Sequence, residues 1–275
     1  MIIELAYTLI AVFTIAFLGI LVLFHDKKSV PNILFFSICT STTLWSISNY
    51  FSLTTSPEQA LFWIRLVLFF AVPHVILFFL FVYNFPHRNL VVSKGRLLML
   101  LFLMGGTMAL TVSPFVFSGV KIYGESVVPI PGPMMPFFSL VILPFLILAL
   151  VVLIYKYVRA TKNEKKQWAF MLFGTSLSYV LIIGTNFLLV VFFSNTYFIP
   201  LGPLFMLPTF IGMTYAVLRY HLFNFKTVAA EIFTFIILSI SLFEILISRS
   251  SLELSLRIAI FILFFIFGIL LIRGV

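Results

Sequence analysis

An all-α, polytopic membrane protein with about nine transmembrane helices is the fold class this sequence predicts, and three observations predict it. Of 275 residues, 63% are hydrophobic and 9% charged, where a soluble domain carries about 25% charged residues. The apolar residues gather into stretches close to the ~20 residues that a helix needs to cross hydrocarbon. Lysine and arginine crowd every second loop between those stretches. A 31.4 kDa globule cannot bury so much apolar surface internally, so lipid must be the solvent. The mean hydropathy of +1.23 agrees. The net charge of +9 does not point to nucleic acid, because the basic residues flank apolar segments, where they meet anionic headgroups.

The first span, Ile2–Phe24, follows a start with Glu4 and no lysine or arginine up to Ala6, and it is too long for a cleaved signal core. The second, Asn32–Leu53, carries a polar stripe at helical spacing, Ser37, Ser41, Trp45, Ser48 and Ser52, with Asn49 beside it. Such a face disfavours lipid and turns into a bundle, either to bond neighbouring helices or to wall a pocket. The third, Ala60–Phe85, opens with Trp63 and Arg65 and contains Pro73-His74. Arg65 lies about 8 Å inside the helix end at 1.5 Å per residue. It either snorkels to headgroups or faces an anionic ligand or carboxylate, for which Glu244 is one candidate. Pro73 removes a backbone bond and kinks the helix. His74 either satisfies the carbonyl freed at Phe69 or Phe70 or acts as a pH-sensing or ligand-binding group.

The fourth span is Arg96–Phe115, and Val116 to Met135 is the longest connector. The fifth, Pro136–Tyr157, and the seventh, Pro200–Leu218, follow similar linkers, Ile130-Pro131-Gly132-Pro133 and Ile199-Pro200-Leu201-Gly202-Pro203. These are either the trace of a repeat or shared helix-start chemistry. Pro144 and Pro208 are kink candidates in the same two spans. The sixth, Gln167–Phe193, carries Thr175, Ser178, Tyr179 and Asn186, with Gly174 and Ser178 as a small pair for close helix packing. Val228–Ser248 and Leu254–Ile272 complete the set, divided by a short turn. The expected organisation is a seven-helix bundle over residues 1–226 and a two-helix hairpin over 227–275.

Charge orients the chain, amino terminus outside and carboxyl terminus inside. One set of loops holds Lys27 and Lys28, then Arg88, Lys94 and Arg96, then Lys156, Arg159, Lys162, Lys165 and Lys166, then Arg219 and Lys226, and finally Arg273. The other set holds only Lys121, Arg249 and Arg257, and all of Glu4, Glu58, Glu125 and Glu253.

Catalysis finds no support. Asp26 is the single aspartate, and the histidines His25, His74, His87 and His221 are scattered. The lone Cys39 offers neither a disulfide nor, with those histidines, a metal cluster. No cofactor is implied, and no phosphate-binding glycine pattern occurs.

Four stretches carry a resemblance. They are Thr43-Leu44-Trp45 with Asn49-Tyr50, and Glu58-Gln59-Ala60 leading to Phe85-Pro86-His87-Arg88. The third is Pro131-Gly132-Pro133 with Tyr157-Val158-Arg159-Ala160 and Lys166-Gln167. The fourth and most distinctive is Tyr215-Ala216-Val217-Leu218-Arg219-Tyr220-His221-Leu222-Phe223-Asn224. Together they resemble the seven-helix amino-terminal sensor region of bacterial histidine kinases. The resemblance implies a multi-pass sensor in the cytoplasmic (inner) membrane, in a two-component system. It also implies a histidine kinase domain, fused or in trans, and a homodimer. The chain departs from that plan by its two added apolar segments and by its lack of a phosphoacceptor box or ATP-binding motif.

The reading that follows is a receptor module with a pocket in its outer half formed by Trp45, Asn49, Trp63, Arg65, Tyr179 and Asn186. Its signal leaves through Arg219, Tyr220, His221, Leu222, Phe223 and Asn224. A transporter and a scaffold for another membrane protein are the rivals.

Overall fold

The computed structural model describes residues 2–123, 126–162, 164–189, 197–220, 225–246, 248 and 250–274. Its first six long helices are α1 (Ile2–His25), α2 (Val30–Thr54), α3 (Pro57–Asn84), α4 (Lys94–Val112), α5 (Met135–Arg159) and α6 (Lys165–Ile182). The helix starts follow proline chemistry. Pro31, Pro57 and Pro136 sit in the first turns of α2, α3 and α5, where a missing N–H costs nothing. Among the described residues, seven helical segments are long and apolar enough to cross a membrane, the seventh being Ile199–Leu218.

Two of these spans are not the plain helices expected. The sixth leaves α-geometry at Ile183 and continues as a π-turn through Leu188. The seventh comes in three pieces: a 3-10 turn at Ile199–Leu201, a short α7 (Gly202–Phe205) and then α8 (Leu207–Tyr220). Proline is the reason. Pro208 has no N–H for the carbonyl of Leu204 and its ring crowds the preceding turn, so the axis breaks at Met206. In contrast, α3 and α5 run through Pro73 and Pro144 without ending.

The connector after α4 is a β-hairpin, which the all-α expectation did not include. Strand β1 (Phe117–Tyr123) pairs antiparallel with β2 (Ser126–Pro131), with an irregularity between Phe117 and Gly119. Val120, Ile122, Val127, Val128 and Ile130 are β-branched residues suited to such a ribbon. Pro129 and Pro131 hid it in the sequence, since proline reads as a strand breaker. Gly132 closes the hairpin base: its N–H donates to Val116 O at 2.8 Å, and a Cβ there would lie 2.2 Å from Phe115 O.

The core runs along α1, α2, α3, α6 and α8, with Phe35, Phe78, Phe81 and Phe210 fully buried. Gly174 lets α6 touch α8, because a Cβ there would stand 2.2 Å from Pro208 O. One turn on, Ser178 Oγ accepts the Thr209 N–H at 3.1 Å. The small pair therefore seats α6 on the freed backbone around Pro208. The last two helices, α9 (Phe225–Leu246) and α10 (Ser251–Gly274), form a pair packed on α1. Phe17 stacks on Phe235 at 3.9 Å, and Gly268 leaves room for Thr234.

Candidate functional site

The site grows from the Pro73 kink. A proline inside α3 frees carbonyls one turn back, and in lipid those carbonyls need partners. Ser41 of α2 donates to the carbonyl next to the one Pro73 leaves unpaired, Phe70 O, at 2.7 Å. His74 does not serve this purpose, contrary to one expectation. Its Nδ1 lies 2.7 Å from Thr42 Oγ1, also on α2. Two adjacent hydroxyls thus tie α2 to α3 at mid-depth. Most other hydroxyls of the α2 stripe turn back on their own helix: Ser37, Ser48 and Ser52 donate to Ile33, Leu44 and Asn49 carbonyls.

Beside this seam lies a pocket of about 210 Å³. Thr42 and Trp45 line it from α2, and Ala71, His74 and Val75 from α3. Ile142 and Leu146 of α5 form the opposite wall. Tyr179 and Ile182 of α6, Ile183 of the π-turn and Met206 at the α7–α8 break complete it. The walls are almost wholly apolar. Tyr179 is buried, and its hydroxyl has no hydrogen-bond partner. Aromatic contacts continue outward from the pocket: Tyr179 meets Phe78 of α3 edge-on at 6.1 Å, and His74 meets Phe210 of α8 edge-on at 6.3 Å.

The six residues expected to share one pocket fall into three places. Trp45 and Tyr179 line the cavity. Asn49 and Asn186 lie nearer the start of the seventh span, where Asn49 Nδ2 donates to Ile199 O at 3.4 Å. A Cβ on Gly202 would lie 3.0 Å from Asn186 Nδ2 and 3.2 Å from the Trp45 ring, so glycine lets that turn close against both. Trp63 and Arg65 belong elsewhere. Trp63 stacks on Phe51 at 4.5 Å. Arg65 holds the hairpin base, with Nε and Nη2 donating to Phe117 O at 3.2 and 2.7 Å. The candidate pairing with Glu244 is replaced by this fork on a carbonyl, and the Glu244 carbonyl instead accepts from Arg257.

Of the expected exit residues, Arg219 and Tyr220 end α8. His221, Leu222, Phe223 and Asn224 lie outside the described residues.

At the other end of the bundle is a cluster that sequence reasoning used only to orient the chain. Lys156 of α5 sends Nζ to Val82 O and Tyr83 O, both at 2.8 Å, and to Phe85 O. The first two are among the last carbonyls of α3 and the third follows its end, and a cation there also suits the helix dipole. The same Nζ lies 5.2 Å from the Trp168 ring centre, and Trp168 packs edge-on against Phe85. Asn84 folds the following loop, donating to His87 O and Asn89 O and accepting from the Val91 N–H. Arg88 then reaches Asp26 at 3.1 Å, and its carbonyl accepts the Val30 N–H. The signal for this clasp was present, as a lysine one turn from the end of a span with no acidic partner nearby. Its target carbonyls were not visible.

Among the described residues, no group of three or more His, Cys, Asp or Glu side chains is placed to hold a metal.

A bundle of membrane-capable helices with an apolar pocket and broken sixth and seventh spans defines a multi-pass membrane protein. The family described as the N-terminal 7TM region of histidine kinase matches residues 7–226, so this chain belongs to that family. The search of curated proteins found no match. Family membership makes the bundle a sensor-type region, the non-catalytic membrane part of such kinases.

Proposed function

We propose that this chain is a membrane sensor that detects a stimulus within its helical bundle and relays it to a cytoplasmic histidine kinase domain, fused or in trans. The loop charges support an orientation with the hairpin outside and the Lys156 clasp in the cytoplasm of a bacterial inner membrane. In this reading α9 and α10 are two further spans, residues 227–275 are a hairpin added to the sensor bundle, and the lipid-embedded module works as a homodimer.

One observation carries the relay: the pocket is walled by Met206, the residue at which the seventh span breaks before α8. An occupant that favours one packing of Met206 shifts the population of α8 positions. The stretch from Arg219 to Asn224 then moves against the membrane. Trp45, Tyr179 and His74 contact the stimulus, Asn49 and Asn186 set the Ile199–Gly202 turn above it, Arg65 holds the hairpin, and Trp63 ties α3 to α2 through Phe51.

The test uses spin labels at Ala160 and Tyr220 in the full chain in nanodiscs, with Met206→Trp as a mimic of occupancy. Met206→Trp should move the label distance by about 1–2 Å, the scale of helix shifts in switching bundles. An unchanged distance distribution in a folded Met206→Trp protein refutes the relay.

A further inference from the structure

We infer that the pocket beneath Trp45 binds a small, neutral, lipid-soluble molecule bearing one hydrogen-bonding oxygen, a phenol or a compound of similar size. This deepens the sensor reading above and rests on the pocket being the sensing site.

Size comes first. A cavity of about 150 Å³ lined by apolar side chains stays dry and takes benzene, so about 210 Å³ admits a ring plus a few further heavy atoms. Charge comes second. His74 is the only ionisable wall residue besides Tyr179, and its Nδ1 is engaged with Thr42 at 2.7 Å. No wall residue is a lysine, arginine, aspartate or glutamate. An ionic ligand would have to shed its water with no counter-charge to meet it.

Polarity comes third. The Tyr179 hydroxyl is buried without a partner among the described residues, which is unfavourable unless something satisfies it. Its oxygen has almost no surface open to the cavity, so a ligand oxygen exchanges a hydrogen bond with it once the Tyr179 side chain turns inward. The other walls offer ring faces and aliphatic carbon. Entry comes fourth. Ile183 borders the pocket and is 49% exposed, so one edge reaches the bundle surface at the π-turn. A lipid-soluble molecule can arrive through the bilayer by that edge.

The occupant would touch Ile183 and Met206 together. These sit at the two places where the sixth and seventh spans depart from regular α-helix.

The experiment follows 4-fluorophenol and fluorobenzene by fluorine NMR against the full chain in nanodiscs, with protein-free nanodiscs subtracted. Both probes should bind saturably. Tyr179→Phe should weaken 4-fluorophenol about tenfold and leave fluorobenzene within about twofold, as the loss of one hydrogen bond requires. Ala71→Leu, which fills the pocket from α3, should abolish both, and Val75→Leu serves if that protein does not fold. Absence of saturable binding by either probe overturns the inference, and so does equal weakening of both by Tyr179→Phe. Saturable binding with an unchanged Ala160–Tyr220 label distance supports the ligand class while refuting the relay, so the two claims fail separately.

Discussion

At the basic end of the bundle, Lys156 caps two carbonyls of α3 and that of Phe85 just beyond it, Asn84 makes three bonds to its own loop, and Arg88 joins Asp26. At the level of the pocket is a cavity of about 210 Å³, and the Tyr179 hydroxyl is unpartnered among the described residues. Both regions contain polar groups inside a greasy molecule, but only the first satisfies them. A fully satisfied network in low dielectric is stiff, while an incomplete one leaves nearly equal packings available. The difference teaches where the molecule has room to respond: around the pocket, with the clasp as the fixed point in the relay proposed above.

Breaking the clasp should have the largest effect. Lys156→Met keeps the length of the side chain and removes all three capping bonds, so it should destabilise the protein by roughly 3 kcal/mol, taking hydrogen bonds to a charged group as the guide. Thermal unfolding in micelles measures it, and a loss below about 1 kcal/mol would mean the clasp is ornamental. Asn84→Ala should cost about 2 kcal/mol, since it orphans the Val91 N–H and two loop carbonyls. Protease nicking between His87 and Val92 should rise in parallel.

Substitutions at the pocket should be milder. Ser41→Ala removes one bond between helices and should cost only about 0.6 kcal/mol, the average for such bonds in a membrane protein. Tyr179→Phe deletes an unsatisfied hydroxyl, so its effect should be neutral or stabilising by up to about 1 kcal/mol. A Tyr179→Phe protein that unfolds more easily than its parent would place a partner on that hydroxyl and erase the contrast between the two regions.

How much of this was legible in the residues differs from element to element. The seven membrane-capable segments were legible because apolar length is a local property. The α2 stripe was legible as a set, yet which serine crosses to a neighbour was not: Ser41 reaches Phe70 O only through the way α2 packs on α3. Arg65 read as a cation awaiting an anion, whereas the hairpin brings it a carbonyl. That hairpin was hidden by its own prolines. Trp45 and Tyr179 were singled out together and His74 apart from them, but Ala71, Ile142 and Met206 carried no signal, since an apolar wall looks like any other apolar residue in such a chain. The family resemblance along the Tyr215–Asn224 stretch and the earlier motifs was readable, and the match over residues 7–226 agrees with it.

By itself the sequence determined that lipid is the solvent, where the first seven helices lie and which family they make up. Each follows from composition and order along the chain. Only the tertiary structure decided that Lys156 closes the end of α3, that Arg65 holds a hairpin, and that Tyr179 faces an apolar cavity. Those facts depend on the depth and rotation of helices distant in sequence, which packing between them sets and no single segment encodes.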